Sequence, residues 1–431
     1  MATKYDIIVV GAGPAGLMAA KTCAEKNLRV ALIERRKEIT KWTRADCMMF
    51  YGLEGDFVGE DIKVELGKVI FPKNGFEVKY SGALYPLYHW RVLSPGGHRI
   101  DFSSDKPIAA VFNKEVLLRD LLGDVEKLGV DIIAGSPGIK AENTSSGARV
   151  LISTSGKEIW LEAKKLVAAD GVNSKITESV GLNKDRPPMG TFKVVQYMLE
   201  GVENPYPNSW VQFYGKSISP FAPPHFLQTV HGEDLHKLGA LQPAPGNPEG
   251  DLQFIMEKSC FSSWFKKAKI AYKMGVGIKP MMPIAKPVKD NVIAIGDAAA
   301  FVEVENQGAL MCGYCAGNAL IQELAGNDGV KNYLDWWQRS FEFNNPEIQQ
   351  VAQGFAINPF YEDDEIDYLI SLAEKETLEG SINQYKIPKM LWDAILKHKD
   401  RIQQERPELS QKIDGIHQMT TQDAFTVDQK Q

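Results

Sequence analysis

A chain of 431 residues, 44% hydrophobic and 24% charged, has the length for two or three domains and the composition of a globular protein, which excludes general disorder. Its formal net charge of −6 gives no general attraction to nucleic acid or to an acidic membrane surface, so no nucleic-acid partner is expected. The five cysteines, Cys23, Cys47, Cys260, Cys312 and Cys315, are odd in number and scattered, which excludes a disulfide framework.

The chain runs almost directly into a strand and contains no uninterrupted apolar run of transmembrane length, so a cytoplasmic protein without signal peptide or spanning helix is expected. The opening strand, Ile7 to Val10, is apolar at every position, as suits a strand covered on both faces. It meets Gly11-Ala12-Gly13-Pro14-Ala15-Gly16. In this turn Gly11 permits the tight bend, Gly13 leaves the backbone open to a pyrophosphate, and Gly16 lets the following helix lie close on the strand. Pro14 suits a first helical turn, whose free N–H groups and dipole favour phosphate. The next strand, Arg29 to Ile33, ends in Glu34, where a carboxylate can accept from both hydroxyls of an adenosine ribose. Together these form a dinucleotide-binding βαβ unit.

Residues Arg35 to Gly52 are too irregular for helix or strand and predict a loop near a site. His89 to Leu93 and His98 to Phe102, joined by Ser94-Pro95-Gly96-Gly97, predict a hairpin of a second sheet. Helical spacing of Val116, Leu117, Leu121, Val125 and Leu128 predicts a helix over Asn113 to Leu128, stopped by Gly129. Strands follow at Val130 to Ile133, Ala148 to Ile152, Glu158 to Leu161 and Lys165 to Ala169, the last leading into Asp170-Gly171.

From about Thr191 to Pro287, strands such as Phe192 to Leu199 and Trp210 to Tyr214 alternate with proline-rich pieces. The aromatics Trp210, Phe213, Tyr214, Phe221, Phe226, Trp264 and Phe265 either line an apolar pocket or fill a core. Asn291 to Ile295 restores the sheet-core pattern and ends in Gly296-Asp297-Ala298-Ala299, with a helix expected from Gly308 to Ala325. Cys312-Gly313-Tyr314-Cys315 reads either as a metal-ligand spacing or as small residues packed on that helix. Beyond Asn345 the chain is charged and helical. Leu391, Ile395, His398 and Ile402 form one stripe, which predicts a surface helix that packs on the protein or docks on a membrane at its inner face.

The glycine fingerprint, Ala169-Asp170-Gly171 with Ser174, and Gly296-Asp297-Ala298-Ala299 occur in the order found in the FAD-dependent family typified by p-hydroxybenzoate hydroxylase, which the first 340 or so residues resemble. Within it the chain is most similar to the geranylgeranyl reductase branch. Arg44 and Cys47 match that branch's R-x-x-C site, Pro283 to Ala299 its approach to G-D-A-A, and Gly296 to Val302 its G-D-A-A-G-F-V form. Several positions depart from the branch: no Tyr-x-Trp-x-Phe-Pro tunnel motif is present, and Glu303-Val304-Glu305-Asn306-Gln307-Gly308 stands where Asn-Pro and a glycine pair are usual. Thr177 and Asn113 stand where arginines are usual.

The resemblance implies an α/β fold, with a Rossmann-like FAD domain of the glutathione-reductase type, an antiparallel substrate sheet and a helical C-terminal region. The FAD domain is expected at 1–75, 105–190 and 288–345, the substrate domain at 76–104 and 191–287, and the helical region at 346–431. Cofactor contacts are implied for Gly11, Gly13, Pro14, Ala15, Gly16, Glu34, Arg35, Arg44, Cys47, Ile139, Asp170, Gly171, Asp297, Gly308 and Ala309.

The implied reaction is reduction of a carbon–carbon double bond in an isoprenoid or other apolar substrate, with NAD(P)H or ferredoxin as electron donor. Alternatives are a flavin-dependent aromatic hydroxylase and an FAD-binding subunit without turnover. In the latter, Glu303 and Glu305 near the flavin would disfavour its reduced anion. Cys47, beside Arg44 and a helix N-terminus, is the catalytic candidate. Three roles stand open for it: proton donor with a lowered pKa, disulfide partner of Cys312 or Cys315, or packing group on the isoalloxazine edge.

Overall fold

The computed structural model describes residues 5–53, 59–220, 225–230, 235–301, 304–344, 357, 360–374, 376–379, 383 and 386–416. Phe221 and Glu303, both singled out above, lie outside the described residues.

The opening strand β1 (Tyr5–Val10) pairs in parallel with β2 (Val30–Ile33) on one side and with the end of the strand Lys157–Ala168 on the other. Asp131–Ile133 and Val292–Ala294 extend this parallel sheet outward on either side. The two segments predicted at Glu158 to Leu161 and Lys165 to Ala169 are one twelve-residue strand, since no glycine or proline interrupts it. Its first half pairs antiparallel with Gly147–Thr154, which pairs in turn with Gly138–Thr144. The helix α1 (Pro14–Ala24) covers the sheet and is itself covered by the helix Glu305–Leu324. That contact needs small residues: a Cβ on Gly313 would lie 2.3 Å from the Ala15 carbonyl oxygen, and one on Gly317 would lie 2.8 Å from Thr22 Cβ. Cys312-Gly313-Tyr314-Cys315 therefore serves helix packing, and among the described residues no His, Cys, Asp or Glu cluster could hold a metal ion.

The second sheet runs, in spatial order, Lys269–Ile278, Phe192–Glu200, Leu235–Pro243, His225–Thr229, Ser209–Phe213, His89–Leu93, Arg99–Ser103 and Thr377–Glu379. The predicted hairpin is present within it, with Leu93 opposite Arg99. Alternation divides its side chains between two faces. One face packs Leu199, Val211, Phe213, Leu227 and Leu238 on the helix Pro248–Glu257 and on Phe261 and Phe265. The other face carries Trp90, Gln196, Trp210, Phe226, Gln228 and Lys237, the residues that reach the loop before Met49 or wall the space beside it.

Two three-stranded sheets complete the first half. Met49–Tyr51, Ala109–Val111 and Tyr85–Leu87 form one, and Lys63–Glu65, Lys68–Phe71 and Phe76–Lys79 the other. Phe76–Lys79 and Tyr85–Leu87 thus pair within these small sheets, and the chain enters the second sheet at Tyr88, whose N–H donates to the Asn208 carbonyl.

The C-terminal stripe behaves differently from one of its two expectations. The helix α2 (Lys114–Lys127) follows its prediction closely, with Asn113 Oδ1 accepting from Glu115 and Val116 as N-cap. The stripe at Leu391, by contrast, is divided between Lys386–Leu396 and Lys399–Glu405, with a break at His398. Leu391, Ile395 and Ile402 are buried in the main core, so this stripe is turned inward and is not an apolar face for a bilayer. Among the described residues no helix is long and apolar enough to cross a membrane.

Candidate functional site

The glycine turn separates into two kinds of glycine. A Cβ on Gly11 (φ +107°) would fall 2.2 Å from the Ala169 carbonyl oxygen, and one on Gly16 would fall 1.8 Å from the Gly11 carbonyl oxygen. These two glycines let backbone pack on backbone. At Gly13, an added Cβ would meet nothing within 4 Å, so this glycine faces open space at the start of α1, where Pro14 and Ala15 follow. At the end of β2, the buried Glu34 accepts from the Ala12 N–H at 2.8 Å and from the Arg36 N–H at 2.9 Å. Arg36 Nε adds a contact at 3.0 Å and, despite the cost of burial, helps hold this carboxyl below the usual range. The arginine on Glu34 is thus Arg36, whereas Arg35 is exposed.

Asp170 spends its carboxylate on the short helix Lys175–Ser179, accepting from Ser174 Oγ and from the Lys175 N–H at 2.9 Å. What it brings to the glycine turn is backbone: a Cβ on Gly11 would lie 2.9 Å from the Asp170 nitrogen. Ile139 sits at an irregularity in the pairing of Gly138–Thr144, and Gly138 packs on Val10. Arg44 comes within 3.4 Å of a Cβ placed on Gly171, and its charge acts on Asp297. Burial raises the Asp297 carboxyl, Arg44 opposes that shift, and among the described residues no protein group hydrogen-bonds to it. Arg186 fixes the turn around Asp297, donating to the carbonyls of Met282 (2.6 Å), Ala299 (3.0 Å) and Ala298 (3.3 Å).

Beside this turn lies a half-buried polar cluster centred on Asp46 and Cys47. Lys114, at the start of α2, donates to Asp46 Oδ2 at 2.8 Å and to Asn306 Oδ1. Asn306 Nδ2 reaches Asp46 Oδ1 at 3.2 Å and Cys47 Sγ at 3.5 Å. From the second sheet, Lys237 donates to the carbonyls of Asp46 and Cys47, Gln228 to Cys47 at 3.0 Å, and Gln196 pairs with both the N–H and the carbonyl of Asp46. The Cys47 thiol donates to Glu305 Oε2 at 3.0 Å. The second sheet therefore holds the loop's backbone, while the FAD-side elements hold its side chains.

The electrostatics overturn one expectation for Cys47. Burial, then the Glu305 and Asp46 carboxylates, push its thiol well above the ordinary range, so it is a neutral thiol and not an acidified one. Arg44 was expected to lower it, but Arg44 lies by Gly171 and Asp297, and the helix N-terminus carries the acid Glu305. Burial pushes Glu305 up to about 7 and Lys237 down to about 8. For Asp46, burial is outweighed by Lys114, which holds the carboxyl below its usual range. All five cysteines are free, and Cys47 engages Glu305.

An aromatic wall adjoins the cluster. Tyr51, which hydrogen-bonds Cys47, lies 5.8 Å from Trp210, which stacks on Trp90 at 5.1 Å and meets Phe226 edge-on at 6.0 Å. Of the aromatics picked out in sequence, Trp210 and Phe226 thus line this wall, whereas Phe213, Trp264 and Phe265 pack behind the sheet and Tyr214 joins the main core.

Residues 4–217 match the FAD binding domain family. This segment is an FAD-binding domain. The digeranylgeranylglycerophospholipid reductase of Methanothrix thermoacetophila is 27% identical over 428 residues, with 92% of this chain and 99% of that relative covered. Among solved structures, a geranylgeranyl bacteriochlorophyll reductase-like protein from Thermoplasma acidophilum has a TM-score of 0.71 at 20% identity, covering 96% of this chain and 99% of that one. The p-nitrophenol 4-monooxygenase PnpA of Pseudomonas putida has a TM-score of 0.60 at 13% identity, covering 97% and 99%. The resemblance to the p-hydroxybenzoate hydroxylase-type family and its geranylgeranyl reductase-like branch is borne out, and the chain is an FAD-dependent oxidoreductase.

The residues present fit FAD on three counts: Gly13 leaves backbone open where a pyrophosphate could approach, Glu34 ends β2 where a ribose-binding carboxylate is expected, and Asp297 offers a half-buried carboxylate to which no protein group hydrogen-bonds among the described residues. One expectation shifts. The helix after Asp297 begins at Glu305, not Gly308, so its unpaired N–H groups belong to Glu305, Asn306 and Gln307, and those of Gly308 and Ala309 fall inside the helical ladder. Sequence reading missed Asp46, Lys114, Gln196, Gln228, Lys237 and Asn306. Lys114 left a signal: a cation in the first turn of a helix opposes the dipole and calls for a nearby acid.

Proposed function

We propose that the protein reduces a carbon–carbon double bond of an isoprenoid or other apolar substrate, taking electrons from a pyridine nucleotide or ferredoxin. The observation that carries this reading is the Cys47–Glu305 pair, two proton-bearing groups 3.0 Å apart beside the wall of Tyr51 and Trp210. Bound FAD supplies the hydride. Addition of hydride to one alkene carbon leaves the other in need of a proton, and the donor must hold that proton at working pH. Cys47 meets the requirement because burial and its carboxylate neighbours keep it a thiol. Lys237, Gln228 and Gln196 hold its backbone, and Asn306 and Lys114 fix the side chains around it. The aromatic wall offers an apolar surface that binds the substrate by burial and excludes water from the reacting carbon. Relatives named digeranylgeranylglycerophospholipid reductase, 27% and 25% identical, support a prenyl chain as that substrate.

The test separates the two halves of turnover under anaerobic conditions. A prenyl substrate is expected to reoxidise the reduced enzyme without oxygen. Cys47→Ala should keep reduction by the donor and lose reoxidation by about 100-fold or more. Unchanged reoxidation in that variant removes Cys47 from the mechanism. Substrate-dependent oxygen uptake with a hydroxylated product overturns the reductase reading in favour of a monooxygenase.

A further inference from the structure

We propose that Glu305 is the relay that returns a proton to Cys47 after each reduction; this rests on the reductase reading above and adds a positioning residue to it. The geometry sets Glu305 apart from an ordinary helix-start acid. It is the first residue of the helix Glu305–Leu324 and has a left-handed backbone, φ +51°, which is unfavourable for a residue with a Cβ. That conformation is kept where Oε2 lies 3.0 Å from Cys47 Sγ. On the other side of the contact Met48, directly after Cys47, is also left-handed at φ +53°. Strained residues on both sides of one contact point to a required juxtaposition. Asn306 locks it, binding the same sulfur and Asp46.

A solvated acid at a helix N-terminus would be held ionised by the dipole. Here the opposing forces are stronger. Glu305 is faced by Cys47 and Asp46 from the loop, Tyr51 from the next strand, Lys114 from α2, Lys237 from the second sheet and Asp297 from the G-D-A-A turn. Burial, with Asp46 and Asp297, outweighs the cations and leaves Glu305 titrating near 7. It can therefore both give and regain a proton near neutrality.

The step balances without any change in the oxidation state of either residue. The hydride that bound FAD would supply brings both electrons to one alkene carbon. The Cys47 S–H bond breaks as its proton forms the new C–H bond on the other carbon, leaving a thiolate. The O–H bond of protonated Glu305 then breaks and the S–H bond re-forms, after which the carboxylate takes a proton from solvent. Glu305 touches no substrate in this scheme; it acts through Cys47.

Two readouts on the FAD-loaded enzyme test the relay. The first needs no turnover: the pH dependence of Cys47 alkylation by iodoacetamide, followed on the Cys47 peptide by mass spectrometry. Removing the facing carboxylate in Glu305→Gln should ease thiolate formation and move that profile down by about one pH unit. The second is anaerobic steady turnover of a prenyl substrate with the electron donor, because the relay acts only after Cys47 has given up its first proton. In wild type it should fall as pH rises through about 7. In Glu305→Gln the inflection should vanish and steady turnover drop by about 10-fold or more, while Glu305→Asp restores an inflection. FAD content reports that each variant is folded.

An unchanged alkylation profile, or an inflection near 7 that persists in Glu305→Gln, overturns the relay while leaving the reductase reading intact. If the alkylation profile moves but no alkene reoxidises wild type, the reductase reading fails and takes the relay with it.

Discussion

Lys237 is fully buried on a strand whose neighbours Leu238 and Ala240 are apolar, and it donates to two backbone carbonyls. Burial lowers its ammonium from 10.5 to about 8, so the folded state binds this proton less tightly than the unfolded chain does. The sign follows: the charged lysine costs stability below about pH 8, and the cost is relieved as pH rises from there toward 10.5. Against a Lys237→Met variant, wild type should gain on the order of 2–3 kcal/mol over that window. Urea unfolding of both proteins at about pH 7 and about pH 10 reads the difference, because groups that titrate alike in both cancel. A constant difference would mean that Lys237 titrates in the fold as it does in the unfolded chain. At this scale the sequence was legible in part. Arg44 and Cys47 stood out by spacing, but the sign of the thiol's shift depends on burial and on Glu305, 258 positions away. No local pattern carries that information.

Among the elements, the βαβ unit was the most legible because each glycine answers a local demand. The structure divides those demands and so divides the outcomes of substitution. Gly13→Val should fold and lose FAD, since its side chain enters open space with an ordinary φ of −80°. Gly16→Ala should instead destabilise the fold by about 1–3 kcal/mol or more, because its Cβ would overlap the Gly11 carbonyl. Thermal unfolding beside flavin absorbance separates the two; a folded Gly13→Val protein with full FAD would refute the cradle assignment. Arg186 extends the same reasoning to the G-D-A-A turn. Its guanidinium is committed to backbone carbonyls, so Arg186→Met should free the turn and weaken FAD retention by about 10-fold or more. Retention at the wild-type level would show that the turn holds without it. Its role was illegible in sequence, because carbonyl acceptors leave no residue signature. The start of the Glu305 helix was misplaced by three residues for a related reason: glycine at 308 looked like a beginning, whereas Gly308 lies against Phe341 inside the first turns.

Across the whole molecule the two sheets divide the work, and the loop 44–48 is where they meet. The first sheet and the helices at its strand ends hold the cofactor cradle and the ionisable side chains. The second supplies backbone clamps through Gln196, Gln228 and Lys237 and the wall formed by Trp90, Trp210 and Phe226. Periodicity revealed that two sheets exist, but not which face of the second turns toward the first. That choice is made by packing: the opposite face is covered by the helix Pro248–Glu257 and by Phe261 and Phe265.

The division yields a separable expectation for Trp210. Its aromatic contacts among the described residues are with Tyr51, Trp90 and Phe226, so truncation should act mainly on substrate. In Trp210→Ala, loss of a large aromatic surface should raise the KM for a prenyl substrate by about 10-fold, equivalent to about 1.4 kcal/mol of binding. FAD content and reduction by the donor should stay at wild-type values. Anaerobic half-reactions at several substrate concentrations make the comparison. A parallel loss of FAD would move the wall into the cofactor site. An unchanged KM would make Trp210 a packing residue between the sheets, and the substrate would then have to lie elsewhere along the Cys47 loop.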